Sequence, residues 1–190
     1  MAKQDRAVRT RAALIRAAAV EFARSGYAGT AVSSITRTAG VSVGALTFHF
    51  DSKSDLADAV LKEAHTVVCA VLEESVGSAQ SPLAQLDAVV AGLARKLQES
   101  DTVRGAARLE QERPTASDAW SRLWYPVMLH LAAEACRSGD LPPTTRPEQA
   151  ASLAALFIRG CGIPPHTTDT ESAVEQHLDL WAIIQKGIMS

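Results

Sequence analysis

The chain has 190 residues, 47% of them hydrophobic and 21% charged, which suits one sizeable core or two small units of an ordinary globular protein. It contains no apolar run long enough to span a bilayer and opens MAKQDRAVRTR without an apolar signal core, so neither a membrane span nor a secretory leader is expected and the protein is placed in the cytoplasm. Net charge is −2, yet residues 1–53 carry eight Lys/Arg against three Asp/Glu, a balance of +5, while the remainder carries −7; an anionic partner is expected at one end only.

The spacing predicts helices throughout. The first covers about Thr10 to Ser25, with Ile15, Ala18, Ala19 and Phe22 as its apolar stripe and Gly26 as its stop. Thr30 is expected to cap a short helix over 31–38, Gly40 to close it, and Ser42 to cap a third helix over 43–48 that Leu46 and Phe50 anchor. Phe48 is assigned to packing as well. Ser52, with Asp55 three residues on, opens a long helix from Lys53 to about Glu74. Ser81-Pro82 reads as a cap followed by proline at the first helical position, starting a helix to about Glu99. Further helices are expected over 101–111, 117–137 after a break at Pro114, 147–161 and 171–187, with SGDLPPTTRP and GIPPHTTDT as loops.

Cys69, Cys136 and Cys161 are too few and too far apart for a disulfide framework or a zinc site, so free thiols, no metal and no cofactor are expected. No nucleophile elbow, phosphate loop or metal-ligand spacing occurs, and the chain is not expected to be an enzyme.

Two short helices joined by a glycine turn, with hydroxyl caps at 30, 42 and 52, form a helix-turn-helix pattern. Helix starts leave backbone N–H groups pointing outward, where phosphate binds. The run YAGTAVSSITRTAGVSVGALTFHFDSKSDLADAVL, from Tyr27 to Leu61, resembles the DNA-binding domain of TetR-family transcriptional repressors. The elements that carry the resemblance are G-Y after the first helix, T-x-V-x-x-I in the second, A-G-V-S across the turn, G-x-L-x-x-H-F in the recognition helix and S-K-x-D-L at the start of the fourth.

The resemblance implies an all-α fold of about nine helices. A helix-turn-helix DNA-binding domain of three helices would occupy residues 1–52, and a helical ligand-binding and dimerisation domain residues 53–190. It implies phosphate contacts from Ser42, Thr47, His49 and Lys53, base contacts from Val43, Gly44 and Ala45, and backbone contacts from Thr30, Ser33, Ser34 and Arg37, with the arm Lys3, Arg6 and Arg9 adding charge. Thr47 stands where the family usually has tyrosine, and Val43 where a basic residue is common. Val43 has no group to pair with guanine but suits a thymine methyl.

The segments VRGAARLEQE, WSRLWYPVMLHLAAEACRSGDL and LWAIIQKGIM, together with GALTFHF, look like the γ-butyrolactone autoregulator receptors of antibiotic-producing actinomycetes. That resemblance implies a small hydrophobic ligand beside Trp124, with Trp120, Gln111 and Met128 as further lining candidates. It implies a homodimer whose interface includes Leu153, Leu156, Phe157, Leu178 and Trp181. The function expected is a repressor that binds double-stranded operator DNA as a homodimer and is released by a γ-butyrolactone or furan, controlling antibiotic or secondary-metabolite genes. The alternative is a pseudo-receptor that senses an antibiotic or other hydrophobic compound, for example to control efflux.

Overall fold

The computed structural model describes residues 2–76, 81–113, 120–162 and 170–188, without the side chains of Ala2, Lys3, Thr170 and Ile188. Among the described residues there are nine helices and no strand: α1 (Ala2–Gly29), α2 (Val32–Ala39), α3 (Val43–His49), α4 (Lys53–Val76), α5 (Pro82–Glu99), α6 (Asp101–Glu112), α7 (Ser121–Ser138), α8 (Pro147–Cys161) and α9 (Thr170–Ile188). The all-α expectation holds. None of the described helices is long and apolar enough to cross a membrane. The break at Pro114, the helix start at 117, the loop over 163–169 and the arm side chain of Lys3 lie outside the described residues.

α1 starts well before the expected Thr10. Its opening residues include the good helix formers Ala2, Lys3, Gln4 and Arg6, and Asp5 lies in the first turn, where the helix dipole favours an acid. The regular helix breaks at Gly26, which has φ +68° and ψ 179°, a backbone conformation open to glycine and costly for any other residue. The cap assigned to Thr30 is corrected: the N-cap of α2 is Ala31, which has no side chain able to accept a backbone N–H. Two other expected caps are present. Ser52 Oγ accepts from Asp55 N at 3.1 Å, and Ser81 Oγ accepts from Ala84 N at 3.3 Å with Pro82 following.

The chain divides into two compact units, Met1–Thr66 with Asp101–Trp120, and Val67–Ser100 with Ser121–Ser190. This differs from the expected division at 52/53. The boundary falls inside α4, an unbroken helix, and α6 belongs with the first unit because it packs on α1. There Gly105 lets the two backbones approach: a Cβ would lie 2.8 Å from Ala19 O. Leu14, Ile15, Ala18 and Phe22 of α1, Ile35 of α2 and Leu56, Ala57 and Val60 of α4 complete that core.

The second unit is built on α5, which packs on α7, α8 and α9. Leu86, Val89, Val90, Leu93 and Leu97 recur at helical spacing along its buried stripe. Trp124, Met128, Leu131 and Ala135 of α7 and Ala151, Ala154 and Ile158 of α8 fill the remainder.

Candidate DNA interface and ligand cavity

In the first unit, α2 ends on Gly40 in the left-handed conformation (φ 67°, ψ 31°). Gly40 N donates to Arg37 O at 3.2 Å and Val41 N to Thr36 O at 3.0 Å, which satisfies the last carbonyls of α2 and turns the chain. Ser42 Oγ then accepts from Ala45 N at 3.1 Å and starts α3. Leu46 and Phe50 are buried beneath α3, and the Arg11 guanidinium lies 5.0 Å from the Phe50 ring centre. The anchoring expected of these two residues is present.

The opposite face of α3 is open. Val43, Gly44, Thr47 and Phe48 are exposed, and Ala45 and His49 half-buried. Thr47 Oγ1 donates to Gly44 O at 3.2 Å. The packing role assigned to Phe48 is corrected: its side chain is 79% exposed, edge-on to the His49 ring at 5.1 Å between centroids. On α2, Ser33 and Arg37 are exposed, whereas Ser34 is half-buried with its hydroxyl donating to Ala31 O at 2.7 Å.

Two of the residues assigned to DNA are engaged elsewhere. Thr30 is 2% exposed, and its hydroxyl lies 2.6 Å from Gly26 O and 3.0 Å from Glu21 O, so its side chain ties the end of α1 and does not face solvent. Lys53 Nζ donates to Tyr27 O at 2.8 Å and Thr30 O at 3.0 Å, and sits 4.3 Å from the Tyr27 ring centre. Two of its three protons are therefore spent on holding the α1–α2 junction.

That junction is a polar cluster the sequence reading missed. Glu112, at the end of α6, accepts from Tyr27 N at 2.7 Å and Ala28 N at 3.2 Å, and from Arg108 Nε at 2.8 Å. The Arg108 bond, aided by those two backbone N–H groups, holds the Glu112 carboxyl below its ordinary range. Arg113 lies over the Tyr27 ring at 5.0 Å and bonds Asp58 at 3.0 Å and Ser54 at 2.9 Å. Nearby, the buried Glu21 accepts from Thr38 Oγ1 and Arg24 Nη2, both at 2.7 Å. The i,i+4 spacing of Arg108 and Glu112 is visible in the sequence, but it reads as an exposed helix pair. Nothing local says that Gly26 leaves room for Glu112.

In the second unit, a cavity of about 520 Å³ opens between α7 and α8, with Trp124, Tyr125, Pro126, Ala155 and Leu156 as apolar walls and Arg122 and Arg159 among its polar lining. Trp124 is fully buried in the fold and forms part of this wall. Of the other assigned ligand residues, Met128 alone lies in the same unit. Met128 is fully buried and absent from the lining. Trp120 lies in a turn before α7, and both it and Gln111, which is exposed on α6, belong to the first unit. α7 begins at Ser121, so Trp120 stands just outside the helix that carries Trp124.

Of the residues assigned to a dimer interface, Leu156 is 65% exposed, and Leu153, Phe157 and Leu178 are half-buried. Trp181 is corrected. It is 5% exposed, its indole N–H donates to Asp87 of α5 at 3.3 Å, and its ring lies 5.2 Å from that of Phe157. Leu180 and Ile183, not anticipated, are the large apolar residues exposed among the described residues of α9. Cys161 is buried, which pushes its thiol up to about 12, while Cys69 and Cys136 are half-buried.

Residues 14–60 match the family described as bacterial regulatory proteins, tetR family. Over 68 residues the chain is 47% identical to the A-factor receptor protein of Streptomyces griseus, a match covering 36% of this chain and 25% of that protein; the chain thus spans a quarter of the length of this relative. A structure of a γ-butyrolactone receptor (ArpA-like protein) is similar over 97% of this chain and 90% of that one, at 28% identity and a TM-score of 0.74. CprB of Streptomyces coelicolor, solved in complex with its biological operator sequence, is similar over the same shares at 28% identity and a TM-score of 0.80. With the helix-turn-helix geometry of α2 and α3, these findings make residues 14–60 a match to the DNA-binding domain of the tetR family and the chain as a whole similar to the γ-butyrolactone receptors.

Proposed function

We propose that this chain is a transcriptional repressor, not an enzyme, that binds operator DNA as a homodimer and is released by a small hydrophobic signal of the γ-butyrolactone or furan type, controlling antibiotic or secondary-metabolite genes. The observation that carries the reading is α3, a seven-residue helix clamped from below by Leu46 and Phe50 with its other face open to a groove. The similarity to an operator-bound relative supports it. In this reading Val43, Gly44 and Ala45 face base edges, and Ser33, Arg37, Ser42 and His49 line the phosphate path, with Thr47 joining them when its hydroxyl turns from Gly44 O to a phosphate. Thr30 and Lys53 act by holding the scaffold.

The ligand lies beside Trp124 in the cavity between α7 and α8. A mostly apolar wall with a few polar groups suits a lactone or furan that carries an alkyl chain. Leu156, Leu180 and Ile183, flanked by Leu153, Phe157 and Leu178, form the dimer face, since a two-fold operator calls for a two-fold protein. Ligand binding favours a conformation in which the two recognition helices no longer match half-sites one helical turn apart.

A mobility-shift assay with duplexes from the chain's own promoter, followed by titration with butyrolactones and furans, tests both halves. A sequence-selective shift that these compounds reverse is expected. Absence of a selective shift at low salt removes the repressor reading, and a shift that no such compound reverses removes the ligand class.

A further inference from the structure

The outward face of α3 offers very little hydrogen-bonding chemistry to a base. Val43 is 52% and Phe48 79% exposed, and neither has a polar side-chain atom. Gly44 has no side chain, and the Thr47 hydroxyl already donates to Gly44 O. Among major-groove features, an apolar side chain distinguishes one above all: the C5-methyl of thymine. Gly44 and Phe48 are four residues apart, hence neighbours on one helix face. The point where a Cβ of Gly44 would stand has Ser42 Oγ at 3.9 Å as its nearest neighbour, with no atom of the Phe48 ring within 4 Å, so the groove-facing space over Gly44 is open. The +5 balance of residues 1–53 favours duplex DNA over an apolar partner protein as the occupant of this face.

We infer that Phe48 is a specificity-determining residue that reads thymine methyl groups in the major groove, with the Gly44 backbone as the floor of the methyl site. This rests on the operator-binding reading above. Leaving so large an apolar ring in water contributes nothing to the fold, and its burial against a base methyl recovers the apolar surface. Sequence selectivity then comes from methyl positions, while Arg37 and the arm residues Arg6 and Arg9, all exposed, supply charge that is blind to sequence.

The experiment uses the full-length protein and duplexes selected from a random library by the wild-type protein. Each thymine is replaced in turn by uracil, which removes the methyl and nothing else. For wild type, at least one thymine per half-site is expected to lose about fourfold in affinity on replacement, the worth of one buried methyl. In Phe48→Ala that loss should shrink to less than about twofold, with overall binding weaker but its salt dependence unchanged, because no charge is removed. Gly44→Ala fills that space and should likewise blunt the uracil effect while raising the unfolding midpoint, since alanine favours helix over glycine. A flat uracil scan in wild type, or an equal loss in wild type and Phe48→Ala, overturns the inference while leaving operator binding intact. If the wild-type protein selects no duplex at all, the operator reading falls and this inference falls with it.

Discussion

In the first unit α2 has 8 residues and α3 has 7, whereas α5 and α7 of the second have 18 each. Short helices bury little area and leave a large share of their backbone groups unpaired at the ends. The first unit accordingly holds its junctions with polar side chains aimed at backbone: Thr30 on Gly26 O, Lys53 on Tyr27 O and Thr30 O, Glu112 on Tyr27 N and Ala28 N. The second unit relies on long apolar stripes. The polar bonds described there also tie one helix to another, Gln98 Nε2 to Cys161 O at 2.6 Å and Asp87 to Trp181 and Gln185. On the operator-binding reading, the first unit needs an exact backbone path, which directional bonds enforce. A body that houses a cavity needs a packed wall.

The largest test of this contrast is Trp124→Ala. The residue is fully buried, so truncation should cost about 3–5 kcal/mol in urea unfolding. A cost below about 1 kcal/mol would mean that packing is not what holds the second unit. The same burial makes Trp124→Phe the better variant for ligand work, since it keeps the wall and changes its shape.

Gly26→Ala probes the first unit. A Cβ there would lie 2.0 Å from Glu112 Oε1, on a backbone at φ +68°. A cost of about 2–3 kcal/mol is expected in denaturant melts. Adding Glu112→Ala should relieve the clash and leave the backbone strain, so only partial recovery should follow.

Glu112→Gln should cost about 1 kcal/mol at neutral pH, a modest figure because solvent screens the site. Its acid dependence is more diagnostic. The folded-state carboxyl is held below the ordinary 4.5, chiefly by Arg108, so its stabilisation is present above that pH and is lost as pH falls through the lowered value. Wild-type and variant melting curves should therefore converge on acidification. A gap that persists in acid would assign Glu112 a role that does not depend on its charge.

The smallest effect belongs to Asp87→Asn. Burial raises this carboxyl above 3.8 despite the bonds from Gln185 and Trp181, so the folded state holds its proton more readily than the unfolded state. Ionisation of Asp87 thus subtracts stability as pH rises through that range, and the amide, which still accepts from Trp181, should be neutral or slightly stabilising at pH 7, within about 0.5 kcal/mol. A loss of 2 kcal/mol or more would show that the second unit, too, depends on a charged clasp.

Helix order, the Gly40 turn, the Ser42, Ser52 and Ser81 caps and the anchoring of α3 by Leu46 and Phe50 were legible in the residues, because caps, glycine stops and apolar spacing act within a few positions of one another. The family motifs between Tyr27 and Leu61 are local in the same sense. Four roles were not legible. Thr30 and Lys53 are the residue types of a phosphate contact, and only the path of α1 past Gly26 turns them inward. Trp181 has the pattern of an interface residue until Asp87 of α5 arrives to bond it. Phe48 has the composition of core, and only the depth at which α3 is clamped leaves it in solvent. Lys53 and Trp181 depend on partners far along the chain, Tyr27 and Asp87, whereas Thr30 and Phe48 depend on the path the nearby backbone takes in the assembled fold. Local pattern determines which helices form and where they stop. Which side chains turn inward is decided by long-range packing, because burial and hydrogen-bond partners belong to the assembled fold and not to any one segment of it.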